Sequence, residues 1–484
     1  MVKKTGYQGF GSFMSEKSVA EMLVDTDRPR PPIELAFSSE GAKRDLEQLV
    51  LGADARPHFA IDFSTWTFIN HGAFGAPLRA AMAEANRWRE HCETQPLAFL
   101  DRQLFPQVIR VIKEMSEFVH CDHHDLVFLP NATTGLNTVI QSVTQSLHFS
   151  PDDAILTLDI GYGSVRSMID HMTQFHSCRH TTVPIKLPCT PDSVLEAVEG
   201  TLLSRGGAKI KLAVIDAVTS NTGIVLPIVQ LTALFHQHGV QVLIDGAHAL
   251  GMLDLNLEAI DADYFVANCH KWLCSPRGSA WMYVRRDRQP LIKPLIISWG
   301  HGYGFTGDFL WDGCRDYSPI LATSAALTFW NSCGPARIRQ YIVDLRAQVV
   351  ARLTKAWTPA HEMTTAATTA ATTAVASGIR EICSEEMLGG MALVALPIGG
   401  PVKKKGSNTP ADAKYMQDLL HFEYLLEVPI KNIEGTLFVR ISCHVYNVLD
   451  DYVVLEEAVK AITARGEGDL DAGVGCKLGG GCGR

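Results

Sequence analysis

The chain has 484 residues, 46% hydrophobic and 20% charged, with a formal net charge of -9. That length accommodates two or three domains with large cores, and the composition is that of a globular protein. Its one tight basic run, Lys403 to Lys405, sits beside Gly406 and Ser407 and reads as a solvated loop, which argues against a nucleic-acid footprint; no apolar stretch approaches the ~18 residues of a membrane span.

In chain order, residues 1–60 read as an N-terminal arm. Lys3 and Lys4 are followed by Gly6 to Gly11 rather than by an apolar signal core. Pro29, Pro31 and Pro32 keep the arm extended, and a helix is expected near Lys43 to Leu51. Over residues 61–320 short apolar runs alternate with helical patterns. Leu126 to Leu129, Ala154 to Leu158, Leu212 to Ile215, Val240 to Ile244, Tyr264 to Ala267 and Ala280 to Val284 read as buried strands. Between them, Pro227 to His238 places Ile228, Leu231, Leu234 and Phe235 on one helical face. Continuous apolar strands alternating with helices predict an α/β fold with a mostly parallel sheet covered on both faces.

Residues 321–465 read as a smaller α+β C-terminal domain, opened by a long helical stretch from Ala322 to Thr354 and containing strands at Met391 to Leu396 and Thr436 to Ile441. The Thr/Ala-rich segment Thr364 to Ala376 reads as an inserted loop, and residues 466–484 as a Gly-rich disordered tail carrying Cys476 and Cys482. The twelve cysteines are scattered, without a CxxC pair. They fit reduced thiols in a cytoplasmic setting, and no metal site is expected.

Three features fall at strand ends, where open α/β sheets bind ligands. Asn131-Ala132-Thr133-Thr134-Gly135 opens a helix whose free N–H groups suit an anion, although the same residues serve as an ordinary cap. Asp245 ends one strand, where an acid can pair with a cationic ring nitrogen, cap a helix or bind a metal. Asn268-Cys269-His270-Lys271-Trp272 ends the next strand; a lysine there is either a snorkelling surface residue or a desolvated nucleophile. Together they place an acid and a lysine on one rim beside an anion site. Pyridoxal 5′-phosphate (PLP) needs this set: an amine for its aldehyde, an acid for its ring nitrogen and a cradle for its phosphate. No GxGxxG follows an early strand, and Gly161-Tyr162-Gly163 is too short a match for a dinucleotide site.

The sequence resembles the class V aminotransferase family of fold-type-I PLP enzymes, in the branch of cysteine desulfhydrases, cysteine-sulfoxide lyases and isopenicillin N epimerases. The similarity runs from Phe68 to Tyr446 and rests on Asn70-His71-Gly72-Ala73-Phe74-Gly75, the Asn131 to Asn137 turn, Ser220-Asn221-Thr222-Gly223, Asp245 to His248, His270-Lys271-Trp272 and Val439-Arg440-Ile441-Ser442. The resemblance implies that Lys271 is the Schiff-base lysine and Asp245 the partner of the pyridine nitrogen. It puts His248 and Asn221 at the ring's phenolic oxygen and Tyr162 against the ring face. Ala132, Thr133, Thr134, Asn268 and His270 match phosphate positions. Arg440 matches the arginine that takes the substrate carboxylate, with Asn70 and His71 beside the substrate. A homodimer is also implied.

Two departures matter. Where the family has a Gly-Thr pair that reaches a neighbouring subunit's phosphate, this chain reads Gly313-Cys314, and a thiol is the weaker hydrogen-bonding group. Cysteine desulfurases carry a persulfide-forming cysteine before the arginine, yet Glu423 to Leu437 contains none. Sulfur transfer is therefore disfavoured. The expected reaction is β-elimination from cysteine or an S-substituted cysteine or cysteine sulfoxide, giving pyruvate and ammonia. Epimerisation at Cα is the alternative, with transamination and a non-catalytic PLP-fold module behind it.

Overall fold

The computed structural model describes residues 17–204, 209–358 and 382–465. Lys3 to Gly11, Thr364 to Ala376 and the stretch 466–484 lie outside the described residues. Twelve strands are described: β1 (Thr67–Phe68), β2 (Leu126–Leu129), β3 (Asp153–Leu158), β4 (Arg179–Val183), β5 (Lys209–Asp216), β6 (Gln241–Asp245), β7 (Tyr264–Asn268), β8 (Ala280–Val284), β9 (Met391–Ala395), β10 (Leu426–Glu427), β11 (Ile430–Ile433) and β12 (Thr436–Ser442).

The main sheet has the order β2-β8-β7-β6-β5-β3-β4. β8 is antiparallel to both its neighbours and the other pairings are parallel, so six of the seven strands end on the same rim. The strands read as unbroken apolar runs because both faces are buried. Val127, Ile155, Val214, Leu243 and Val266 pack with helices 132–146 and 163–176 on one face. The intervening Phe128, Leu156, Ile215, Ile244 and Phe265 pack with helices 104–119, 191–203 and 228–237 on the other. The expected mostly parallel sheet between helices is present.

A second, antiparallel sheet, β11-β12-β9, carries helices Pro335–Trp357, Pro410–Tyr424 and Leu449–Thr463. β1, early in the chain, pairs in parallel with β10 and ties the Asn70 loop to this C-terminal region.

Three expectations need correction. The stretch from Ala322 to Thr354 is two helices, Thr323–Cys333 and Pro335–Trp357, because Gly334 takes φ +86° and Pro335 restarts the helix at its first turn. The arm helix is Glu40–Glu47 rather than Lys43 to Leu51, since the Ser39 side chain accepts from Ala42 N at 3.1 Å and fixes an earlier start. β4 and β11 were not anticipated: both are edge strands with polar or half-exposed residues and lack the apolar run of a central strand.

Candidate functional site

β2, β3, β5, β6 and β7 deliver Asn131, Tyr162, Asp216, Asp245 and Lys271 to one rim. The Asn70–Gly75 loop closes over it. Gly75 has φ +70°, and a Cβ there would lie 2.0 Å from the His270 carbonyl oxygen, so only glycine lets the loop approach the Lys271 segment this closely.

Lys271 Nζ lies 3.1 Å from His248 Nε2, and Trp272 Nε1 donates to His248 Nδ1 at 3.3 Å. With Nδ1 accepting, the neutral imidazole carries its proton on Nε2. Nε2–H can then only donate to the lysine, whose amine must offer a lone pair. The electrostatics agree. Burial, with the Lys271 charge, holds His248 well below its usual range, and burial lowers Lys271 to about 8 against the upward pull of Asp245.

Asp216 and Asp245 are opposed in register across β5 and β6 and both are buried. Asp245 Oδ1 accepts from Ala247 N at 2.9 Å, while Asp216 Oδ2 accepts from Tyr162 N at 3.4 Å. Burial raises both carboxyls, and the Asp245 charge pushes Asp216 up further. Two adjacent buried carboxylates do not both ionise. The pair shares a proton, and Asp216, the more strongly raised of the two, favours holding it.

At the other end of the rim, the Asn131 side chain accepts from Thr134 N at 2.9 Å and from the Thr134 hydroxyl, and Asn268 Oδ1 accepts from Ala132 N at 3.0 Å. Those two N–H groups are thus occupied. The Thr133 N–H has no partner among the described residues, and Thr133 is exposed. His270 Nδ1 is buried without a partner, and burial lowers that imidazole to about 4.

Arg440, 3% exposed on β12, donates to Ser220 O and, at 3.1 Å, to Asn70 Oδ1, while its Nε has no partner. Burial lowers it to about 10. Asn70 Nδ2 donates to Glu427 at 3.2 Å, and Glu427 is also held by His421 at 2.9 Å. Tyr162 is 45% exposed at the start of helix 163–176. Asn221 is exposed and makes no hydrogen bond among the described residues.

The expectation that His71 touches substrate gives way to a different role. It is fully buried, its Nε2 lies 3.1 Å from Lys271 O, and its Nδ1 lies 2.7 Å from the Tyr446 hydroxyl. Its ring stacks on His444 at 3.8 Å between centroids, and His444 Nε2 lies 3.2 Å from Trp272 O. Two neutral imidazoles therefore hold consecutive carbonyls of the lysine loop from behind. His71, Cys274 and His444 approach one another closely enough to bring a metal to mind. The imidazole Nε2 atoms, however, both donate to backbone carbonyls, so the group reads as a clamp.

The unused groups match PLP. Lys271 offers an amine that burial makes easier to deprotonate, Asp245 a carboxyl oxygen, and Thr133 N–H and His270 Nδ1 two free positions for phosphate oxygens, so the residues present fit the cofactor. Asp216 and His444 were missed from the sequence. Asp216 had a signal: β5 and β6 both end in Ile-Asp, Ile215-Asp216 and Ile244-Asp245.

The sequence model of the aminotransferase class-V family matches residues 102–385. An L-cysteine desulfhydrase of Arabidopsis thaliana is 27% identical over 86% of this chain and 92% of its own. An isopenicillin N epimerase of Amycolatopsis lactamdurans is 26% identical over 85% and 98%. Among solved structures, a mutant of C-DES with glycine covalently linked to its PLP cofactor superposes with a TM-score of 0.64 at 17% identity, covering 84% of this chain and 98% of that one. The matched stretch exceeds half of the 484 residues, and with it the chain belongs to the aminotransferase class-V family, whose cofactor is PLP.

Proposed function

We propose that the protein is a carbon–sulfur β-lyase that converts cysteine, or an S-substituted cysteine or cysteine sulfoxide, to pyruvate and ammonia. The observation that carries this reading concerns thiols. Cys269 and Cys274, which flank Lys271 in the chain, and Cys443, which follows Arg440, are all fully buried, and burial holds their thiols up, Cys269 and Cys443 to about 12. Residues 423–437 contain no cysteine. These thiols are unsuited to accept sulfur as a persulfide, which favours its release. The likeness to L-cysteine desulfhydrases supports the same outcome.

In this reading Lys271 would hold the cofactor, Thr133 and His270 would take its phosphate, Asp245 would keep its ring nitrogen protonated, and His248 would serve its phenolic oxygen. Bound PLP supplies the electron sink that makes removal of an α-proton feasible. Arg440 fixes the substrate carboxylate with a planar fork. Lys271, whose amine is uncharged above about pH 8, would take the α-proton and hand it on toward the departing sulfur. The working unit in this reading is a homodimer.

Similarity to an isopenicillin N epimerase, together with the exposed Tyr162 phenol at the rim, favours epimerisation at Cα as the second reading. The PLP-loaded protein is incubated with L-cysteine and S-substituted cysteines, and pyruvate is measured. Pyruvate formation that falls by about a thousandfold in Lys271→Ala supports the lyase. Solvent exchange at Cα with no pyruvate supports the epimerase.

A further inference from the structure

Lys431 stands beside Arg440 without a counter-ion. Ile430 pairs with Val439 and Lys431 with Phe438, and Arg440 N donates to Pro429 O at 3.0 Å. Residues opposed in an antiparallel pair share a face, and alternate residues along a strand share it too. Lys431, Phe438, Arg440 and Ser442 therefore project from the same side of the sheet, with Met391 and Leu393 of β9 beside them.

That side faces the site. Arg440 reaches Ser220 O and Asn70 from it, and Cβ atoms added at Gly72 and Gly223 would meet Met391 at 2.5 Å and 3.0 Å. Lys431 is a diagonal neighbour of Arg440, at a backbone spacing of ~7–8 Å. It is half-buried, and its side-chain amine forms no hydrogen bond or ion pair among the described residues. The nearby acid, Glu427, is held by Asn70 and His421. Burial and then the Arg440 charge lower the Lys431 amine to about 8. Two neighbouring cations, one buried and one half-buried, with only neutral groups on the arginine, form an electropositive face larger than one carboxylate needs.

We propose that Lys431 binds a second anionic group of the substrate, so that the preferred amino acid carries a carboxylate or sulfur oxyanion at the far end of its side chain while Arg440 takes the α-carboxylate. This deepens the proposed function and rests on the Arg440 assignment.

Unreactive acids test it without turnover. The PLP-loaded protein is titrated by calorimetry with glutarate and with butyrate, which have the same carbon chain and differ in one carboxylate. Glutarate is expected to bind at least about tenfold more tightly, a difference of about 1.4 kcal/mol. In Lys431→Met that preference disappears while the butyrate Kd stays within about twofold; Lys431→Arg retains the preference. A preference that survives Lys431→Met overturns the inference, as does an equal weakening of both ligands, which would put the two cations on one carboxylate. Arg440→Met separates the underlying assignment: it weakens butyrate if Arg440 takes the α-carboxylate, and unchanged butyrate binding removes that assignment itself.

Discussion

The two sheets present opposite electrostatic designs to the same site. At the rim of the seven-stranded sheet the Lys271 amine lies within the field of Asp245, and it is lowered only to about 8 because that acid offsets its burial. On the three-stranded sheet, Arg440 and Lys431 have no such acid, and each is lowered mainly by desolvation. A region that must lose and regain a proton needs charges near balance. A region that must hold an anion benefits from positive charge left unneutralised until the ligand arrives. Under the proposed function the site is thus divided into a proton-handling half and an anion-binding half.

The strongest way to break the first half is through its acids. Asp245→Asn removes the anion at the rim and is expected to lower kcat by about a hundredfold. Asp216→Asn replaces the more strongly raised carboxyl of the pair by a neutral group of the same shape and is expected to cost only a few-fold. Steady-state kinetics on the two variants, each checked for PLP content by absorbance, measure the contrast. Equal losses would mean that the shared proton is not localised on Asp216.

A titration sharpens the same point. Burial favours the uncharged form of Lys271, so its amine loses its proton near pH 8 instead of near the usual 10.5. Below that midpoint the ammonium is unreactive toward an aldehyde; above it the amine is free. Uptake of PLP by the apoprotein, followed by absorbance, is expected to accelerate between about pH 7 and pH 9 and then to level off. Because Asp245 pulls the lysine upward, Asp245→Asn should move the midpoint lower. A rate that keeps climbing to pH 10 would contradict a desolvated lysine.

The division between the halves also marks what could be read in the sequence. The rim was legible because parallel strands, buried on both faces, announce themselves as apolar runs and end in polar residues. Asp245, Asn268 and Lys271 all follow such a run. Lys431 was not legible, since β11 is a half-exposed edge strand with no apolar signature, and its significance arises from a register with β12 that pattern alone does not give. His444 was hidden for a related reason. It follows the Arg440 strand, yet its contacts are with residues 71 and 272, and no spacing rule joins segments so far apart. His71 was noticed, but its side of the lysine loop depends on the three-dimensional path of that loop.

The smallest expected effect on catalysis comes from that clamp. The lysine loop passes through Cys274, which has φ +67°, a left-handed conformation that disfavours a residue with a Cβ. His71 and His444 hold the preceding carbonyls of Lys271 and Trp272 in place, and both imidazoles stay neutral, His444 at about 3. His71→Phe would strand the buried Lys271 carbonyl and the Tyr446 hydroxyl. The expected cost is about 1–3 kcal/mol of folding stability, with little change in the Lys271 midpoint. Urea unfolding measures the first and the pH dependence of PLP uptake the second. If stability falls and the midpoint stays, the clamp serves the geometry of the loop. If the midpoint moves by a full pH unit, the imidazole pair belongs to the proton-handling half as well.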